Sequence, residues 1–238
     1  TPKYHRAASA IGETISIVRK SLPKEKAVIG FAGAPLTTAV YMIEGKTSRN
    51  FQNCRKLLYG SPETFSSVLE KVSCEIYNHL ELQAKNGADC LMLFDTWAGG
   101  FPSKWHAEYV SSTLSRFIDK LKDLKKPIIY YPGQGLDLYH NICNLKLDVV
   151  AVDWRVDMDR VVDIYSQNNN THTIFQGNLD PMILSGSQSF VRNEVRNILD
   201  FATKNIPERY IFNVGHGLLP STPVDSIHWV VDEIRNFC

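Results

Sequence analysis

Asn213-Val214-Gly215-His216-Gly217 places an imidazole between two glycines at the end of an apolar run. Glycine lets a backbone turn sharply and lets a ligand come close. An imidazole there could donate to a carboxylate or move a proton; the alternative is a loop histidine bonded to backbone. Asp95-Thr96-Trp97-Ala98-Gly99-Gly100 closes another run with a carboxylate and a hydroxyl. Either the pair binds a ligand, with Thr96 the stronger candidate, or both residues cap the turn that follows. Tyr41 follows a third run on a helical stretch, Leu36–Met42. A phenol facing a pocket can donate to a substrate carboxylate, whereas one aromatic among Leu, Val and Met is more often core packing. Arg155 has Asp153 and Asp157 as ion-pair partners within reach of the chain, and Asn178 and Asp180 read as turn formers before Pro181. His140 and Cys143 stand three apart in an apolar helical segment with no further ligand at zinc spacing, so no metal site is expected.

The elements that must carry these groups are six short apolar runs: 27–32, 89–94, 127–131, 149–154, 171–176 and 210–214. Most are continuous rather than alternating, which fits strands covered on both faces of a parallel sheet. Helical stripes lie at 1–22 (Ile11, Ile15, Val18, Leu22), 62–84 (Phe65, Leu69, Val72, Ile76, Leu80), 105–121 and 223–237. Alternating helices and strands give a parallel α/β architecture, either an open doubly wound sheet or an eight-stranded barrel. The turn after the first run has no GxGxxG, and no Walker A sequence occurs. Nearly every run ends in polar or glycine-bearing sequence, as in barrel enzymes whose chemistry sits at the carboxyl ends of the strands. Six strands do not close the usual barrel. The expectation is therefore one incomplete (β/α)8 TIM-barrel domain over residues 1–238, with strands three to eight present and the first two absent. The open edges left by the absent strands are expected to favour aggregation.

Composition narrows the class. Twenty-six Lys and Arg against 25 Asp and Glu leave a net charge of +1, which argues against a polybasic nucleic-acid binder; Lys120–Lys126 is a solvated helix end. A chain of 238 residues with 44% hydrophobic content can bury a core without staples. The five cysteines are irregularly spaced, as in a reduced intracellular protein. No apolar run approaches the roughly 18–20 residues of a membrane helix. The start at Thr1-Pro2-Lys3, without an initiator Met, suggests a piece of a longer protein.

Five stretches, Ile29–Gly45, Leu93–Gly100, Val149–Arg155, Phe175–Pro181 and Phe212–Pro223, together resemble the uroporphyrinogen decarboxylase family, in its order and spacing. The resemblance runs along nearly the whole chain and leaves out the family's N-terminal portion. It implies a (β/α)8 barrel pairing as a homodimer, and loss of carbon dioxide from the four acetate arms of uroporphyrinogen III to give coproporphyrinogen III in haem synthesis. It implies neither metal nor organic cofactor. Tyr41, Thr96 and His216 match the family's substrate-contacting positions. The family's catalytic aspartate and arginines fall in the portion without counterpart here, so no residue of 1–238 takes those roles. The cytoplasm is the expected compartment, or an organelle if a transit peptide precedes Thr1. Leu36 stands where the family usually has Trp, and Tyr131-Pro132-Gly133 also departs from the pattern. A corrinoid-dependent methyltransferase of the same superfamily would carry zinc-binding thiols at 131–135 and 215–218, where this chain has none. A fragment that binds porphyrin without turnover is the other alternative.

Overall fold

The structure, a computed structural model, describes residues 2–46, 48 and 50–237. It divides into two compact units, Thr1–Asp148 and Val149–Cys238.

The first unit runs α1 (Pro2–Ser21), β1 (Ile29–Gly33), α2 (Pro35–Glu44), α3 (Gln52–Gly60), α4 (Pro62–Lys85), β2 (Cys90–Phe94), α5 (Ser103–Trp105), α6 (Ser111–Leu121), β3 (Ile128–Tyr131) and α7 (Leu136–Ile142). β1 and β2 pair in parallel from Ile29 opposite Cys90 to Gly33 opposite Phe94. β2 and β3 pair in parallel from Leu91 opposite Ile128 to Phe94 opposite Tyr131. Leu91, Leu93, Ile128 and Tyr130 are fully buried, as continuous apolar runs require. The α4 stripe of Phe65, Leu69, Val72, Ile76 and Leu80 is buried as its spacing predicts.

One helical expectation is refined and another changes. The 105–121 stretch is helical throughout but not regular. A π-helical turn over His106–Val110 separates α5 from α6, and it seats the His106 ring in the interior. α1 does not bury its apolar stripe: Ile11, Val18 and Leu22 are exposed. Its polar side is anchored instead, Ser16 Oγ donating to Asn86 Oδ1 (3.1 Å) and Arg19 pairing with Asp89 (2.9 Å). Directional bonds to the end of α4 set the rotation of α1, and the stripe follows.

β1 ends the strand order, and its free side is not bare. Gln83 of α4, 3% exposed, accepts from the Phe31 N–H and donates to the Phe31 carbonyl, both at 2.9 Å. The amide makes the two bonds a neighbouring strand would make. It can do so because Gly30 has no side chain where the Gln83 oxygen lies.

The second unit runs β4 (Val149–Ala151), α8 (Met158–Gln167), β5 (Ile174–Leu179), α9 (Gln188–Asn205), β6 (Tyr210–Val214) and α10 (Val224–Arg235). β5 pairs in parallel with β4, Val149 opposite Ile174, and with β6, Phe175 opposite Tyr210 through Leu179 opposite Val214. β5 therefore continues past the expected end at Gln176. Asn178 is a strand residue opposite Asn213 rather than a turn former, and its Nδ2 holds the Asp153 (3.1 Å) and Val156 (2.7 Å) carbonyls. Asp180 does form the turn, accepting from the Met182 N–H at 2.9 Å. α9 and α10 close over Leu179, Leu184, Val191, Val195, Leu199 and Val230. Between these helices Glu233 is buried against Arg192 (2.9 Å) and Arg196.

Candidate active site

In the first unit the carboxyl end of β2 is organised by Asp95, which is wholly buried. Its carboxylate accepts from the Thr37 N–H (3.0 Å), the Thr37 hydroxyl (2.7 Å) and the Tyr130 hydroxyl (2.7 Å). The Thr37 hydroxyl in turn accepts from the Trp97 N–H at 3.1 Å. The Asp95 side chain thus does not cap the following turn. It is a saturated acceptor that ties the first turn of α2 to the end of β2, and it sets the direction in which Thr96 and Trp97 leave the strand. Leu36, beside Thr37, is fully buried in the core. His106, 1% exposed, lies in the field of Asp95. Burial pushes its pKa below the ordinary imidazole value, and the Asp95 charge only partly opposes this.

Tyr41 is not core. It is 47% exposed, and its ring stacks on Trp97 with centroids 3.7 Å apart and planes 27° from parallel. Tyr41 and the half-buried Thr96 therefore share one corner at the carboxyl ends of β1 and β2. Trp97 continues inward to Phe51 (5.3 Å), and Phe51 to Phe101 (5.5 Å). The Arg55 guanidinium lies 5.7 Å from the Phe101 centroid and donates to the Gly100 carbonyl. A Cβ on Gly100 would overlap the Phe51 ring, so only glycine admits this packing. Trp97, Phe51 and Arg55 had no role in the sequence reading. Trp97 was visible within its motif. Phe51 and Arg55 lie in a stretch with no apolar period to mark them.

In the second unit His216 is exposed on the loop after β6. The Gly215 N–H donates to the Leu179 carbonyl at 2.8 Å, and a Cβ on Gly215 would collide with the Trp154 backbone. The base of the loop is thereby pinned to the end of β5 and to the turn after β4. Arg155 takes the ion-pair alternative: its Nη1 reaches both oxygens of buried Asp153 (3.1 and 3.0 Å), and it stacks on Trp154 (4.6 Å). Tyr41 and Thr96 belong to one unit and His216 to the other.

Among the described residues no three or more His, Cys, Asp or Glu cluster as metal ligands. The Cys143 thiol is buried and donates to the His140 carbonyl at 3.3 Å, as a residue ending a helix does. Burial raises its pKa, the direction opposite to that of a thiolate ligand.

Parallel strands joined by helices, with polar groups on the loops that follow the strands, define the α/β class. A family model described as uroporphyrinogen decarboxylase (URO-D) matches residues 1–237, and the chain belongs to that family. The uroporphyrinogen decarboxylase of Geobacter sulfurreducens is 32% identical over 219 residues, covering 92% of this chain and 63% of the relative. That of Syntrophotalea carbinolica is 36% identical over 223 residues (92% and 62%). That of Jannaschia sp. is 34% identical over 235 residues (98% and 66%). The chain thus spans 62–66% of the length of these curated relatives. Among solved structures, a methyltransferase from Methanosarcina mazei superposes with a TM-score of 0.81 at 14% identity, covering 95% of this chain and 64% of that one. A B12-independent methionine synthase from Shewanella sp. reaches 0.66 at 11%, covering 95% and 67%. At such identities these likenesses concern the fold alone.

Proposed function

We propose that residues 1–238 form the larger part of a uroporphyrinogen decarboxylase: strands three to eight of an eight-stranded barrel, in one incomplete domain. The observation that carries this reading is the family match along essentially the whole chain. The substrate is uroporphyrinogen III, and each of its four acetate arms becomes a methyl group. A proton added to the electron-rich pyrrole makes the ring a cation. The electrons of the breaking C–C bond flow into that cation as carbon dioxide leaves. A second proton then lands on the exposed methylene carbon, and loss of the first restores the ring. Neither a metal nor an organic cofactor takes part. The work of the protein is to hold the acid arms and stabilise the cation.

In this reading the Tyr41 phenol and the His216 imidazole donate to substrate carboxylates, and the Thr96 hydroxyl supplies a weaker contact. The half-exposed phenol beside Trp97 and the exposed imidazole on a pinned loop support these roles. The protein acts as a homodimer in the cytoplasm. The methyltransferase alternative finds no thiol at 131–135 or 215–218, and no observation favours it.

The test is an anaerobic assay on the gene-encoded protein that contains residues 1–238. Chromatography of the oxidised products should show octacarboxylate converted through to tetracarboxylate porphyrin, and activity should survive chelators. Octacarboxylate left untouched overturns the reading. Residues 1–238 alone hold none of the positions matched to the family's aspartate and arginines, so their own turnover should be negligible.

A further inference from the structure

The Tyr41 phenol is placed by a stack of rings that begins in the core. Trp97 stacks on Tyr41 and meets Phe51 at a tilt of 35°. Phe51 lies almost parallel to Phe101, at 6°. Arg55 fixes the inner end through the Gly100 carbonyl and the Phe101 face. Its Nε is buried without a partner among the described residues. Phe51 holds the least comfortable backbone of the set, φ 48°, in the left-handed region that a bulky side chain rarely adopts. Its neighbours keep it there. The Phe51 N–H donates to Ser48 Oγ (3.0 Å), and the Cys54 N–H just inside α3 donates to Glu44 at the end of α2 (3.0 Å). Filling a core does not require that conformation, because an ordinary extended residue could bury a ring as well. What the conformation achieves is a ring edge against Gly100 and a ring face toward Trp97.

We propose that Phe51 is a positioning residue of the substrate site: it sets the tilt of Trp97 and, through it, the place of the Tyr41 phenol. This rests on the reading of Tyr41 as a carboxylate contact. Phe51 is buried, so its effect on the site runs through Trp97. Its influence passes through ring contacts, near-parallel with Phe101 and tilted with Trp97, so ring shape matters more than volume. Leucine and methionine fill space without a plane, and Trp97 could then rotate. Tyrosine keeps the plane.

The experiment compares Phe51→Leu, Phe51→Met and Phe51→Tyr in the gene-encoded protein that contains residues 1–238. Two readouts are used. The first is the near-ultraviolet circular dichroism of the Tyr41–Trp97 stack, defined as the difference between wild type and Trp97→Phe. The second is the affinity for uroporphyrin I, a stable octacarboxylate probe, from quenching of tryptophan fluorescence. Phe51→Leu and Phe51→Met should lose half or more of the stack signal and bind uroporphyrin at least fivefold more weakly. Phe51→Tyr should stay within twofold of wild type on both. Phe51→Met, closest in volume, keeps the test alive should Phe51→Leu fail to fold. An intact stack signal in either planeless variant overturns the proposal, as does a lost signal with unchanged binding. If the wild-type chain does not bind uroporphyrin at all, the substrate reading falls, and the brace is judged on the stack signal alone.

Discussion

Tyr41, Thr96 and His216 differ in what their loss should cost. A hydrogen bond to a charged group contributes about 1.5–3 kcal/mol, roughly ten- to a hundredfold at ~1.4 kcal/mol per decade. In the complete enzyme, Tyr41→Phe and His216→Asn should lower turnover within that range and release partly decarboxylated porphyrins, since four arms react in turn. Tyr41→Phe keeps the ring on Trp97 and so isolates the hydroxyl. Thr96→Val should do less, about 0.5–1.5 kcal/mol for a neutral contact. Unchanged rates and product patterns in all three would make these residues scaffold. Asp95 predicts a stability effect instead. Asp95→Asn can keep a carbonyl oxygen for the two Thr37 donors but then turns its NH2 to the Tyr130 hydroxyl, which donates to Oδ2; the mispaired buried group should cost about 1–3 kcal/mol, measurable as a lower urea midpoint. The strand-end places of Thr96 and His216 were legible because such turns can be read locally; Tyr41, on α2, came forward only through the family resemblance. The role of Asp95 was not legible, because two of its donors come from Thr37, 58 positions away. The sequence suggested only a ligand contact or a cap of the following turn.

Strands were legible where burial alone dictates them. β5 was misjudged at its end because its pairing with β6, not its apolarity, carries it through Gly177 and Asn178. α4 declared itself through an unbroken stripe. α9 did not, because its buried Val191, Val195, Leu199 and Ala202 are a thin stripe, two fours and a three, among Arg, Asn and Glu. The junction of α9 with α10 carries a prediction of its own. Hydrogen bonds from Arg192 and then Arg196 hold the Glu233 carboxyl below its ordinary value of 4.5, against the effect of burial. A carboxylate with a depressed folded pKa contributes stability that is present above the ordinary value and lost as pH falls toward the folded one. Glu233→Gln should therefore flatten the acid limb of the stability curve below about pH 4.5. Denaturation midpoints across pH would reveal it; identical limbs in both proteins would refute it.

At the scale of the molecule, buried His106 and half-buried His79 add a second slope. Burial pushes both His79 and His106 below 6.5. Each is neutral in both states above that value, and below it the unfolded chain takes up protons that the folded one refuses. Stability should fall as pH drops from 6.5 toward 5, before the Glu233 effect begins. His106→Gln should remove part of this slope, and an unchanged slope would place its cause elsewhere.

The amide of Gln83 on β1 bears on how the protein behaves in a crowd. Unpaired strand edges let one sheet recruit another, and that is how ordered fibres grow. Here the central rung of the edge is already taken by the chain's own helix, so a visiting strand finds a broken ladder beside Ile29 and Phe31. The expectation that an open edge drives aggregation is thereby softened at this place. Gln83→Leu would free both Phe31 backbone groups while keeping similar bulk. Light scattering should then show concentration-dependent growth absent from wild type, and adding Phe31→Lys should suppress it. If Gln83→Leu scatters no more than wild type, the guard against recruitment lies somewhere other than this one amide.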